Sequence, residues 1–124
     1  CGGDIRDKTG IISSPNFPSS YPDYSNCRWT LHAPENQFLY IRFLHVDLAA
    51  SYNNECADYV SVFDGDTYMS PIIIQLFGYK TPEEVAALRF RSTGKNLHIY
   101  FYSDYSQHNS GFDAQFAIQG MFED

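Results

Sequence analysis

The side chains with chemistry to offer are four histidines, three cysteines and two aspartates, Asp58 and Asp104, that stand where apolar runs meet polar loops. His32, His45, His98 and His108 fall in separate runs and loops, without the short spacing that zinc requires, and read as polar-face side chains. Asp58 and Asp104, taken alone, read as strand-end carboxylates that accept backbone N–H bonds and close turns. Serine is plentiful, but the chain contains no nucleophile elbow, metalloprotease helix, Walker loop or dinucleotide fingerprint, and its Gly-rich opening precedes no helix. The expectation is a protein that is not an enzyme.

The cysteines are few for a disulfide scaffold. Cys1 and Cys27, the latter just before Trp29, suit a staple that holds down a terminus. Such a bridge closes a loop of about 25 residues and contributes about 3.5 kcal/mol on a chain-entropy estimate. It leaves Cys56 over. The alternative is three reduced, buried thiols in a reducing compartment.

What must position these residues is a succession of short strands. Apolar runs with period-two alternation occupy 9–14, 27–32, 38–46, 59–64, 72–77, 88–91, 97–103 and 111–118, separated by Gly, Pro, Asn, Asp and Ser. One parity collects Trp29, Leu31, Leu39, Ile41, Phe43, Val60, Val62, Leu97, Ile99, Phe101, Phe112, Ala114, Phe116 and Ile118, which should face a core. Thr81-Pro82-Glu83-Glu84 offers an N-cap, a proline at the first helical position and a glutamate three residues after the cap, which predicts a turn or two of helix over about 82–87. The fold class is therefore all-β: an antiparallel β-sandwich with at most one short helix near 82–87.

If successive strands run antiparallel, the loops 15–26, 47–58, 78–87 and 104–110 share one pole of the sandwich, where a binding site is expected. On the outward parity of the third and seventh strands lie Tyr40, Arg42, His98, Tyr100 and Tyr102. Were those strands paired, they would form an aromatic ribbon suited to a flat protein contact or to stacking on sugar rings.

Composition bounds the partners. The 124 residues suit one domain spanning 1–124, and 44% hydrophobic content with ten Tyr and ten Phe fits a folded, strand-rich chain. Eight basic against fifteen acidic side chains give a net charge of -7, which repels a phosphate backbone and argues against nucleic acid. No apolar stretch approaches the length of a membrane span, and the opening lacks both a charged n-region and an apolar h-region, so the chain reads as a mature fragment without membrane insertion.

A longer pattern runs through these elements. In order it comprises Cys1-Gly2-Gly3, Gly10-Ile11-Ile12-Ser13-Ser14-Pro15-Asn16-Phe17-Pro18, Tyr21-Pro22, Cys27-Arg28-Trp29, Phe43 and Asp47-Leu48. It continues with Cys56, Asp58-Tyr59-Val60, Asp64-Gly65, Gly78, Ser103-Asp104-Tyr105-Ser106 and Gly111-Phe112-Asp113-Ala114. The series covers essentially the whole chain and resembles the CUB domain of complement proteases, procollagen-processing enzymes and endocytic receptors. The resemblance implies an extracellular, jelly-roll-like module, secreted or part of an ectodomain, that binds protein partners, commonly through a calcium-stabilised loop cluster.

Carried over residue by residue, the resemblance implies calcium ligands at Asp58, Asp104, Ser106 and the carbonyl of Gln107, with Tyr21 in a supporting place. The glutamate that calcium-binding members carry after Asp-Leu is Ala49 here. Glu55 or Asn53 is the candidate replacement, and the site should be weak, in the range of about 10⁻⁴ to 10⁻³ M. Partner contact would use Tyr21, Asp58, Asp104 and Tyr105 toward a basic residue. Members usually have four cysteines, the last two bridged; Phe77 stands where the fourth would be, so Cys56 is either a buried free thiol or the link of a disulfide-bonded homodimer. Two other functions stay open: a carbohydrate-binding, lectin-like domain, as in the seminal-fluid members of the family, and a structural or dimerising piece of a larger secreted enzyme.

Overall fold

A computed structural model describes residues 1–49, 58–104 and 109–118, and in it the chain forms two β-sheets that face each other across an apolar core. The elements are β1 (Gly2–Ile5), β2 (Thr9–Ser13), β3 (Asn26–His32), β4 (Leu39–Asp47), β5 (Tyr59–Phe63), β6 (Ile72–Leu76), α1 (Pro82–Ala86), β7 (Arg89–Arg91), β8 (Asn96–Tyr102) and β9 (Gly111–Ile118). One sheet has the order β1-β3-β8-β5-β6 and the other β2-β9-β4-β7. Every strand pair is antiparallel except β1 with β3.

The period-two pattern explains which side chains the sandwich encloses. Leu31, Leu39, Ile41, Phe43, Val60, Val62, Leu97, Ile99, Phe101, Phe112, Ala114, Phe116 and Ile118 are all buried, as their shared parity requires. Phe112 on β9 is the hub between the layers. Its ring lies 5.9 Å from Trp29 and 5.4 Å from Phe101 of the five-stranded sheet, and 6.1 Å from Phe43 of its own sheet. Tilted and edge-on contacts of this kind contribute roughly 0.5–1.5 kcal/mol each beyond the area they bury. Along β4 the parity breaks at a bulge between Phe43 and His45, after which Val46 turns in where unbroken alternation would have placed His45.

The helix follows the local sequence closely. Thr81 accepts from the Glu84 N–H and the Glu84 carboxylate accepts from the Thr81 N–H, so two otherwise unpaired donors of the first turn are satisfied reciprocally. The bond from the Thr81 backbone holds the Glu84 carboxyl below the usual carboxylate range. Val85 is the buried residue of this helix, and Ala87 caps it.

Two expectations need correction. The alternation missed β1, because two glycines at the start of the chain carry no side-chain pattern. Gly2 has φ +100°, and a Cβ there would collide with the Arg28 backbone, so a glycine is what allows β1 to lie alongside β3. The proposed aromatic ribbon does not exist: β4 and β8, the third and seventh predicted strands, belong to different sheets. Tyr40 and Arg42 therefore lie in one sheet, and His98, Tyr100 and Tyr102 in the other.

An acidic pole built on a buried tyrosine and aspartate

Strand direction brings the loops together. Asn26 and Tyr59 both sit opposite Tyr102, and Asp47 sits opposite Gly111, so the ends of β2, β4, β6 and β8 and the starts of β3, β5 and β9 share one pole. Backbone bonds then join the loops: Tyr24 N–H to the Asp104 carbonyl at 3.0 Å, Tyr21 N–H to Asn109 at 3.3 Å, and Leu48 N–H to Gly78 at 3.0 Å. Ser103 adds a side-chain clasp, accepting from the Ser25 N–H and donating to the Pro22 carbonyl.

Gly111 is a second position where only glycine serves. Its φ is +96°, and a Cβ would run into the Ser14 side chain, whose hydroxyl oxygen accepts from the Phe112 N–H at 3.1 Å. That close approach seats the 15–26 crossing against the start of β9.

At the centre of the pole lie Tyr21 and Asp58. The Tyr21 hydroxyl donates to Asp58 Oδ2 at 2.5 Å and accepts from the Ala49 N–H at 2.9 Å. Asp58 Oδ1 accepts from the Asp104 N–H at 2.9 Å. One phenol and one carboxylate thus tie the crossing at 15–26, the end of β4, the start of β5 and the end of β8. The Tyr21 ring stands edge-on to Phe101 at 5.1 Å. Burial, reinforced by the hydrogen bond to Asp58 and opposed by the one from Ala49, pushes the phenol well above the ordinary tyrosine range.

Burial assigns different roles to the expected site residues. Asp58 is 0% exposed and Tyr21 is 1% exposed, so both support the pole from beneath, whereas the sequence reading placed them in direct contact with a partner. Asp104, by contrast, is partly exposed. Tyr105, Ser106, Gln107, Glu55, Asn53, Cys56 and His108 lie outside the described residues.

The donors present suit calcium in kind. Calcium takes oxygen ligands, and the pole offers the carboxylates of Asp58 and Asp104. Ala49 contributes no carboxylate. No group of three or more His, Cys, Asp or Glu arranged to hold a metal occurs among the described residues.

Other candidates resolve into structural contacts. Cys1 and Cys27 form a disulfide with a Cα–Cα distance of 5.2 Å, closing the strand pair β1–β3. His32 lies 3.5 Å from Asp4, and His45 shares a hydrogen bond of 2.7 Å with Ser110. His98 departs from the polar-face reading: it is buried, its Nδ1 meets Thr30 Oγ1 at 2.9 Å, and its Nε2 has no hydrogen-bond partner among the described residues. Sequence reasoning also missed the group beside it, in which the Arg28 guanidinium sits 4.0 Å over Tyr100 while Tyr59 stacks on Tyr102 at 5.4 Å. The outward parity of Arg28, Tyr59 and Tyr100 was visible in the sequence, but the order β3-β8-β5 that makes them neighbours was not.

A two-sheet sandwich stapled at its first strand, with its loops drawn to one pole over a buried Tyr–Asp pair, defines a binding-module scaffold. The CUB domain family profile matches residues 1–116, and the chain belongs to this family. Over 117 residues it is 35% identical to human tolloid-like protein 1, covering 94% of this chain and 11% of that protein. It is 32% identical to rat neuropilin-2 over 122 residues, covering 95% of this chain and 12% of that one. The chain thus spans about a tenth of the length of these curated relatives.

Among solved structures, the CUB1-EGF-CUB2 domains of rat MASP-1 superpose with a TM-score of 0.79 at 29% identity, covering 99% of this chain and 44% of that one. The MASP-1 CUB2 domain bound to Ca2+ gives 0.77 at 25% identity, covering 94% of this chain and 99% of that one. CUB domains are non-enzymatic protein–protein interaction modules of extracellular proteins. No helix among the described residues is long and apolar enough to cross a membrane.

Proposed function

We propose that residues 1–124 form one CUB domain whose acidic pole docks a basic side chain of a protein partner, with calcium as a weak co-ligand. The observation that carries this reading is the Asp58 carboxylate, fully buried at the pole and tied to Tyr21 and to the Asp104 backbone. A carboxylate fixed in this way holds negative potential in place, and Asp104, partly exposed beside it, faces the partner. Asp23, Asp47, Asp58 and Asp104 all lie on or beside the joined loops, in a chain of net charge -7, so a cationic group is the complementary ligand. Calcium would be held by Asp58 and Asp104, completed by Ser106, the Gln107 carbonyl and Glu55, and would supply a fixed positive charge that draws the loops together.

Two measurements test this. A lysine-rich peptide should bind the chain, and Asp104→Asn should weaken that binding; equal affinity for both forms would remove the pole from the docking role. Thermal unfolding in millimolar calcium should give a higher midpoint than in chelator, since a ligand of the native state stabilises it. No shift would retire the calcium part of the reading. The lectin-like alternative gains no support from the paired aromatic ribbon on which it partly rested, because that ribbon is divided between the sheets.

A further inference from the structure

The outer face of the four-stranded sheet gathers positive charge in a chain that is otherwise acidic. Its registers align the outward side chains in rows across the strands: Thr9, Ala117, Tyr40 and Arg91 in one, Ile11, Gln115, Arg42 and Arg89 in the next. Phe116, Ile41 and Phe90, between these two rows, point into the core. Three of the chain's eight basic residues thus fall in two adjacent rows. The carboxylates of this face, Asp113 and Asp47, belong to the rows nearest the acidic pole.

The arginines are placed against the usual cross-strand preference. Arg42 stands directly opposite Arg89, and like charges in that position destabilise a sheet. Gln115 Oε1 accepts from Arg42 Nε at 2.9 Å and from a terminal nitrogen at 2.7 Å, which holds the guanidinium without neutralising it. Arg91 is held over the Phe38 ring at 4.6 Å. Arg89 and Arg91 are both exposed, and neither has a carboxylate partner among the described residues. The acidic residues that precede β7 are turned elsewhere: the Glu84 carboxylate accepts from the Thr81 N–H, and Glu83 stands roughly opposite the buried Val85 around α1. Like charges set side by side without a compensating group are characteristic of a surface that meets a partner.

We infer that this face docks an acidic, extended segment of a protein partner, with one carboxylate on Arg89, beside Arg42, and a second on Arg91. Charge complementarity and spacing select this occupant. Arg89 and Arg91 are two residues apart on one strand, roughly 7 Å, and an extended segment repeats its own side chains at the same interval. Guanidinium groups take carboxylates through paired hydrogen bonds, and a carboxylate at Arg89 offsets the repulsion from Arg42. The patch is short, because toward the pole it gives way to Asp113, Asp47 and the acidic loops. A membrane plane or a long polyanion would overlap that like charge, whereas a segment of a few residues stays within the arginines. Proteins are also what CUB domains bind. This face is separate from the pole, which recognises the opposite charge, so each can engage a partner without the other.

The test is fluorescence anisotropy of a labelled peptide of alternating glutamate and serine, titrated with the chain in calcium-free buffer. Binding should saturate and weaken as salt is raised. Arg89→Gln and Arg91→Gln should each weaken it roughly fivefold, while Arg28→Gln, which removes the same charge from an exposed position in the other sheet, leaves it unchanged. Arg89→Gln should not lower the melting temperature, since it relieves the repulsion with Arg42. Asp104→Asn, the variant that tests the pole, should not weaken peptide binding, so either site can fail without the other. A chain that shows no saturable binding overturns the proposal, as does an equal loss in Arg28→Gln, which would reduce the effect to overall charge. Binding of dextran sulfate through Arg89 and Arg91 with none of the peptide would assign the face to a sulfated polysaccharide, and would equally overturn docking of an acidic protein segment.

Discussion

Replacing Tyr21 by phenylalanine isolates the hydroxyl on which the pole is built. The ring keeps its edge-on contact with Phe101, so apolar burial is conserved. Two bonds disappear: the one donated to Asp58 and the one accepted from the Ala49 N–H. A hydrogen bond to a charged group contributes about 1.5–3 kcal/mol, and a buried N–H left without a partner costs about 1–3 kcal/mol. With partial relaxation, the sum is about 3 kcal/mol. At roughly 2.1 cal/mol/K of unfolding entropy per residue, the 124-residue chain should lose about 4 °C of melting temperature per kcal/mol, hence about 12 °C. Urea and thermal unfolding at neutral pH read both quantities.

The pH dependence gives an independent check on the same phenol. Burial raises the Tyr21 pKa in the folded state, so above about pH 10 the unfolded chain releases a proton that the folded chain retains. The stability this group contributes is complete below about pH 10 and is lost as pH rises further. The gap between wild type and Tyr21→Phe should therefore narrow in alkali. A variant within about 0.5 kcal/mol of wild type, or a gap that stays constant through alkaline pH, would refute the reasoning.

Three further outcomes follow from single contacts. Gly111→Ala places a Cβ against the Ser14 side chain at positive φ, and should cost about 3 kcal/mol in urea unfolding while Gly94→Ala, in open space, costs little. Burial, aided by the charge of Arg28, lowers the His98 pKa in the folded state; the stability it contributes is complete above about pH 6.5 and is lost as pH falls, so unfolding free energy should drop toward pH 5, and less steeply in His98→Phe. Cys1→Ser with Cys27→Ser should lower unfolding free energy by about 3.5 kcal/mol, the entropy of a loop with separation 26, as read by urea titration.

The sequence carried most of the architecture because the sandwich core is specified by period-two burial. Val60 and Val62, or Leu97, Ile99 and Phe101, have nowhere to go but inward once their strand forms. The capping residues around Thr81 and the shared pole of the loops were legible for the same reason: each depends on local chemistry or on simple alternation of strand direction. What escaped depends on pairing between distant strands. The neighbours of β8 are β3 and β5, and nothing in the outward residues of β4 says that it lies in the opposite sheet. β1 escaped for lack of side chains to read. Exposure at the pole was equally hidden, because a Tyr–Asp pair looks the same in sequence whether it meets a partner or supports a loop.

That last distinction decides what the pole is for. Taking a carboxylate out of water is costly, and its hydrogen bonds to Tyr21 and the Asp104 backbone offset the cost without making it a better source of stability than apolar packing. What an apolar pair could not do is hold four loop segments in one register while keeping negative potential under the surface. If this is the role, Asp58→Asn should keep an oxygen to accept from the Asp104 N–H, with its NH2 donating to a Tyr21 hydroxyl turned to accept, yet lose the potential. It should weaken lysine-peptide binding by more than Tyr21→Phe does, while destabilising the fold by less. The opposite ranking, with binding tracking stability, would reduce the pair to a structural clasp and leave Asp104 without its electrostatic support.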